Sequence, residues 1–237
     1  MKYVITSYPP IEDILLGKFR SYLYEDVRFA QLYPNFGNVN VSLVHPFAYL
    51  NDQKINGTQV PVELFPSVTI ISNTDNQAVE VPSFTESFQL TTEKLNLVKN
   101  DRDTYIVSDQ AVSDLETAIG AGDVFGQGGG TRKRDEIALE VWAENIELKN
   151  KLYDLVMAFL TSPYRYELKS DHEIDILIHT INGTRGGNYN FEFGRILFGG
   201  MIQFNADYPI ALYVIDAELG AFSAVEHTYQ EVHYGED

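Results

Sequence analysis

Residues 136–162 constrain the fold more than any other stretch. Glu136-Ile137-Ala138-Leu139-Glu140-Val141-Trp142-Ala143 has the two-residue period of a strand, with Ile137, Leu139 and Val141 on one face. Asn145 then stands as an N-cap. Leu148, Leu152, Leu155, Val156 and Phe159 recur at helical spacing until Ser162-Pro163 ends the run. A strand that feeds directly into an amphipathic helix must bury both apolar faces, so the chain needs a sheet layered with helices. This predicts an α+β fold: a small mixed or antiparallel β-sheet flanked by helices.

The rest of the chain fits that class. Pro9-Pro10 followed by Ile11, Ile14, Leu15, Phe19, Tyr22 and Leu23 predicts a helix from about 11 to 25. Strands are expected at Asn40–Val44, Pro66–Ile71 and Ile174–Ile178, and two or more within 191–216. Gly199-Gly200 predicts a bulge or bend, Pro209 a break or an edge, and Asn56-Gly57 a hairpin turn. Between 72 and 136 the patterning weakens. Short β-like pieces lie near 77–81, 86–91 and 104–107, and Ser108 or Asp109 caps a short helix to Ile119. GAGDVFGQGGG follows and reads as a flexible loop over 120–130. The chain is therefore read as one domain, 1–237, with an insertion at 72–136.

Charge and composition exclude several functions. The 237 residues carry 34 acidic side chains against 17 Lys and Arg, a formal net charge of −17. That balance opposes a general grip on nucleic acid or an anionic membrane, both of which need a basic footprint. With 44% hydrophobic and 13% aromatic residues the chain can build a core, so the acidity does not mean disorder. It has no Cys, hence no disulfide, thiolate metal site or thiol nucleophile. MKYVITSYPP has one Lys and no long apolar run, and no stretch reaches the length of a membrane span. A soluble intracellular protein is expected, with no membrane contact.

No motif carries chemistry. Gly130 is followed by Thr131-Arg132-Lys133-Arg134, so the phosphate-loop spacing fails, and Gly120, Gly122 and Gly126 fail the dinucleotide fingerprint. His172-Glu173-Ile174-Asp175 is not a zinc-helix motif. On a strand, Glu173, Asp175 and His179 would share one face, most simply a solvent face. Asp101-Arg102-Asp103 opens like a calcium loop but lacks its Gly and final Glu. Arg132-Lys133-Arg134 is the one dense basic cluster, read either as a contact for an acidic surface or as a solvated strand entry. Trp142 is either an interface anchor or a ring packed between strand and helix. No metal, cofactor or catalytic residue is expected.

The order of elements is more telling. A helix at 10–25, Pro66-Ser67-Val68-Thr69-Ile70-Ile71, the Ile137–Asn145 strand running into its helix, and strands at 174–216 together resemble the tail-terminator and neck (tail-completion) proteins of long-tailed bacterial viruses. The matching pieces cover about half the chain. The 72–136 insertion and the aromatic 26–60 region depart from the family pattern.

The resemblance implies a non-enzymatic virion protein, assembled in the host cytoplasm as a homo-oligomeric ring, typically sixfold. It would sit between the neck or connector and the tail tube or sheath, cap the tube and join head to tail. DNA would pass through the lumen without specific binding. Gly126, Gly128, Arg132, Lys133, Arg134, Trp142 and Tyr229 are the candidate subunit contacts. Two other readings are a baseplate or other tail adaptor and a carboxylate-based hydrolase using His179. A carbohydrate- or receptor-binding β module fits poorly with the strand–helix unit.

Overall fold

The computed structural model describes residues 2–48, 64–78, 84–186, 188–190 and 196–216. They are mixed α and β, as the patterning predicts, and fall into two compact units where one domain was expected. The strands are β1 (Lys2–Ser7), β2 (Asn40–Ser42), β3 (Ser67–Ala78), β4 (Phe84–Leu90), β5 (Tyr105–Ile106), β6 (Val124–Ala143), β7 (Asp175–Thr184), β8 (Asn188–Asn190) and β9 (Ile196–Asp216). The helices are α1 (Ile11–Ser21), α2 (Phe29–Leu32), α3 (Thr92–Asn100), α4 (Asp109–Ala121), α5 (Ile146–Thr161) and α6 (Tyr164–His172). Strand β6 passes from one unit to the other after Gly130, and β9 after Ile210.

The larger unit holds the strand–helix element. β6 pairs antiparallel with β3 from Ser67↔Trp142 to Asn73↔Glu136, and β2 adds to β3 in parallel. Ile137, Leu139 and Val141 are buried as their alternation predicts. Ala138 and Trp142 on the other face are buried too, so this strand is covered on both sides. The Asn145 side chain accepts from the amides of Glu147 (2.7 Å) and Leu148 (3.2 Å), which fixes the start of α5. Leu152, Val156 and Phe159 then meet Leu15 and Phe19 of α1 in the core. Phe19 and Phe159 stand edge to face, with centroids 5.1 Å apart.

Two helix ends show local control. α1 continues through a π-helical turn at Tyr22–Asp26, which keeps Tyr22 and Leu23 buried after Ile11, Leu15 and Phe19. Helix α6 ends in left-handed Glu173 (φ 56°), and the Ile174 amide reaches back to the Leu168 carbonyl at 3.0 Å, which satisfies an end carbonyl of the helix. This α6 turn was not anticipated, and it moves the strand start to Asp175. β7 also breaks register between Leu177 and Asn182, which leaves Ile178 exposed rather than facing the core.

The smaller unit contains β1, β4, β5, α3, α4 and the ends of β6 and β9. The expected insertion is thus built into a unit with the N-terminal strand and the end of β9. β9 pairs with β1, and β1 with β5, all antiparallel. Helices α3 and α4 start at Thr91 and Ser108, whose hydroxyls accept from Lys94 and Ala111 amides. Their apolar faces cover one side of the sheet, where Leu95, Val98 and Leu115 meet Ile5, Val124 and Ile215.

The expected loop at 120–130 is a correction. Helix α4 runs to Ala121, and Val124–Gly130 is strand, paired residue by residue with Leu90–Phe84 of β4. Glycine has poor strand propensity, but pairing on a sheet overrides it here. Gly199-Gly200 lies within β9, and Pro209 does not break that strand. Pro209 lies between Asp207, paired with β7, and Ala211, paired with β1, where its missing amide costs no bond on that side. The Asn56-Gly57 turn lies outside the described residues.

Candidate functional site

The period of β6 divides the basic cluster between two faces. Arg132 and Arg134 point one way. Arg132 donates to the carbonyls of Glu173 and Asp207, both at 3.0 Å. Arg134 makes a two-pronged pair with the Asp207 carboxylate, Nε to Oδ1 at 2.6 Å and Nη2 to Oδ2 at 2.7 Å. Within the chain these two tie β6 to β9 and to the end of α6.

Lys133 and Asp135 face the other way and enter a closed polar ring. Lys133 Nζ donates to the Tyr8 hydroxyl at 2.9 Å. Tyr8 and Tyr208 hydroxyls are 3.1 Å apart, and the Tyr208 hydroxyl donates to Asp135 Oδ2. Lys133 Nζ lies 3.2 Å from the same carboxylate oxygen and closes the ring. Because Tyr8 accepts from Lys133 and Tyr208 donates to Asp135, Tyr8 must donate to Tyr208, so both arms of the ring run from the Lys133 ammonium to the Asp135 carboxylate. Tyr208 is fully buried and Asp135 nearly so. Burial, then the bonds to Asp135 and Tyr8, hold the Tyr208 phenol far above its ordinary value. Burial alone would lower Lys133, but its bonds to Tyr8 and Asp135 and the aspartate charge outweigh that and raise it. Among the described residues Asp135 Oδ1, which is buried, has no hydrogen-bond partner.

Trp142 is buried within its own chain. Its ring packs on Phe47 and His45, and its indole N–H donates to Glu140 Oε2 at 3.2 Å. His45 Nε2 meets the same oxygen at 2.9 Å. The His45 bond, and the indole bond after it, overcome burial and lower the Glu140 carboxyl. Gly199 makes room for this ring, since a Cβ there would lie 2.7 Å from the Trp142 six-membered ring.

Gly126 and Gly128 do comparable work in the smaller unit. A Cβ on Gly126 would lie 2.8 Å from the Phe88 ring, and one on Gly128 would lie 2.7 Å from the Tyr213 ring. The two rings stand perpendicular, 5.5 Å apart, over strand positions that carry no side chain. Beside them is a cleft of about 220 Å³ between α3 and the sheet, with Lys94 at its side. Sequence reading missed this cleft because glycine runs signal flexibility more often than a floor for rings.

The Glu173, Asp175 and His179 face does not form. Glu173 is the left-handed end of α6, and Asp175 is engaged by Lys169 at 2.6 Å. Among the described residues no group of three or more His, Asp or Glu is placed to hold a metal ion. No described helix is long and apolar enough to cross a membrane. Tyr229 lies outside the described residues. No protein-family model matches the chain, and no curated protein matches it.

Proposed function

We propose that this chain is a ring-forming structural subunit of a long-tailed bacterial virus, placed at the neck or tail end, where it caps the tube and joins head to tail. The resemblance in element order supports this reading. One structural observation carries it. Among the described residues, helices cover one face of the smaller unit's sheet, and its other face presents large apolar side chains.

Ile106, Thr6 and Leu212 lie side by side across β5, β1 and β9, with Val4 and Val214 on the next rung of that face. Ile106 is 62% exposed, Val4 50% and Leu212 47%. Isolated apolar residues on a surface are ordinary, but several on neighbouring rungs of one sheet face form a contact patch. A second copy presented with a different patch makes a heterologous contact, which closes into a ring when its rotation closes. A place in the baseplate or another tail adaptor uses the same face and differs only in neighbours.

The test is native mass and electron microscopy of the purified protein, beside particles assembled without it. Closed rings or capped tube ends, and unjoined heads and tails in its absence, are expected. Ile106→Glu with Leu212→Glu should leave the fold intact by circular dichroism and abolish ring formation. Normal infectious particles assembled without the protein overturn the reading.

A further inference from the structure

We infer that the cleft between α3 and the sheet of the smaller unit binds a small amphipathic monocarboxylate, an apolar body with one anionic end. The inference does not depend on the virion reading. Three independent features carry it.

The first is size and lining. The cleft offers about 220 Å³, half open to solvent, and is walled mainly by apolar groups, including Ile5, Phe88, Leu90 and Val98. A dry apolar cavity of about 150 Å³ holds benzene, so this space suits a ligand of roughly nine non-hydrogen atoms. The second is the way the space is kept open. Gly126 and Gly128 let the Phe88 and Tyr213 rings lie back against β6, and side chains there would push both rings forward. Glycine inside a strand is unfavourable by itself, which marks these positions as ones where backbone must approach other groups closely.

The third is charge. Lys94 lines the cleft and, among the described residues, is the only cation that does so. Its ammonium sits 5.2 Å from the Phe88 ring centroid and makes no ion pair among the described residues. It also lies in the first turn of α3, where the helix dipole already disfavours a cation. An arriving carboxylate relieves both. Glu86, on the same face of β4 as Phe88, also lines the cleft and is the counterweight. It repels a second negative charge, which restricts the ligand to one carboxylate.

The experiment is titration of the full chain with octanoate, octan-1-ol and octylamine below their aggregation limits, followed by amide NMR shifts. Octanoate should saturate with a Kd below about 1 mM, with shifts in β4, α3, Tyr105 and Tyr213. Octan-1-ol and octylamine should each bind at least about tenfold more weakly. Lys94→Met should weaken octanoate about tenfold, and Glu86→Gln should tighten it, since removing a nearby like charge favours the anion. Both residues are exposed, and circular dichroism verifies that each variant folds. Equal binding of acid and alcohol, shifts outside these elements, or no saturation overturns the inference. So does a Glu86→Gln variant that weakens octanoate.

Discussion

Replacing Tyr208 by Phe isolates one hydroxyl in the closed polar ring of the larger unit. The aromatic ring stays, including its edge-on contact with Tyr8 at 5.9 Å, so no cavity opens. What is lost is a buried bond to a carboxylate whose other oxygen has no partner among the described residues, together with the acceptor of the Tyr8 hydroxyl. A hydrogen bond to a charged group contributes about 1.5–3 kcal/mol, and Asp135 keeps Lys133 in compensation, so we expect a loss of about 2 kcal/mol. For a chain of this size that lowers Tm by about 4–8 °C. The pH dependence gives a second readout. The folded-state pKa values of Tyr208 and Lys133 are both raised, so each contributes stability that is complete below its unfolded value and is lost as pH climbs above it. Wild type should therefore lose stability from about pH 10 upward, where unfolded Tyr and Lys release protons that the fold retains. Tyr208→Phe should show a shallower alkaline fall. The assay is urea denaturation followed by circular dichroism at pH 7 to 11. A variant as stable as wild type at neutral pH, with the same alkaline slope, would refute the ring as a stabilising unit.

Three further outcomes are expected. Asn145→Ala removes both cap bonds of α5 and should cost about 1 kcal/mol, read as a Tm about 2–4 °C lower. Gly126→Ala should destabilise by about 1 kcal/mol, against the usual gain for replacing a strand glycine, because the new Cβ meets both Phe88 and the Val214 carbonyl. Glu140 is held low first by His45, so its contribution is present above its unfolded value and is lost as pH falls through the folded one. His45→Ala should flatten the acid limb of stability between about pH 5 and 3, measured by the same denaturation series.

Legibility in the sequence followed distance along the chain. The β6–α5 element was readable because its period, its Asn145 cap and its Ser162-Pro163 stop all lie within 28 residues. Strand β1 passed unnoticed, since Tyr3 and Ile5 gain their meaning from Ile215 and Tyr213, at the far end of the chain. α3 buries only Leu95 and Val98, too little for a periodic signal. The glycine stretch misled because local propensity favours flexibility, while the rings that need those glycines come from Phe88 and Tyr213. The basic cluster was conspicuous by composition, but its partners Asp207, Tyr208 and Tyr8 are remote in sequence. Only the topology of β6 against β9 explains why three adjacent cations split between two networks.

That split has a kinetic consequence. A chain of net charge −17 has in Arg132-Lys133-Arg134 its best chance of a local attractive spot, and the fold spends all three on internal partners. Two copies approaching each other therefore meet long-range repulsion with nothing there to steer them. Their encounter should be slowest in dilute buffer, where the screening length is about 30 Å. It should quicken as added salt shortens that length to about 10 Å at 0.1 M. This is the reverse of the salt response of complexes that electrostatics draws together. Separation, governed by short-range apolar contact, should hardly respond. Ionic strength would then set how fast such an assembly forms and leave its lifetime alone.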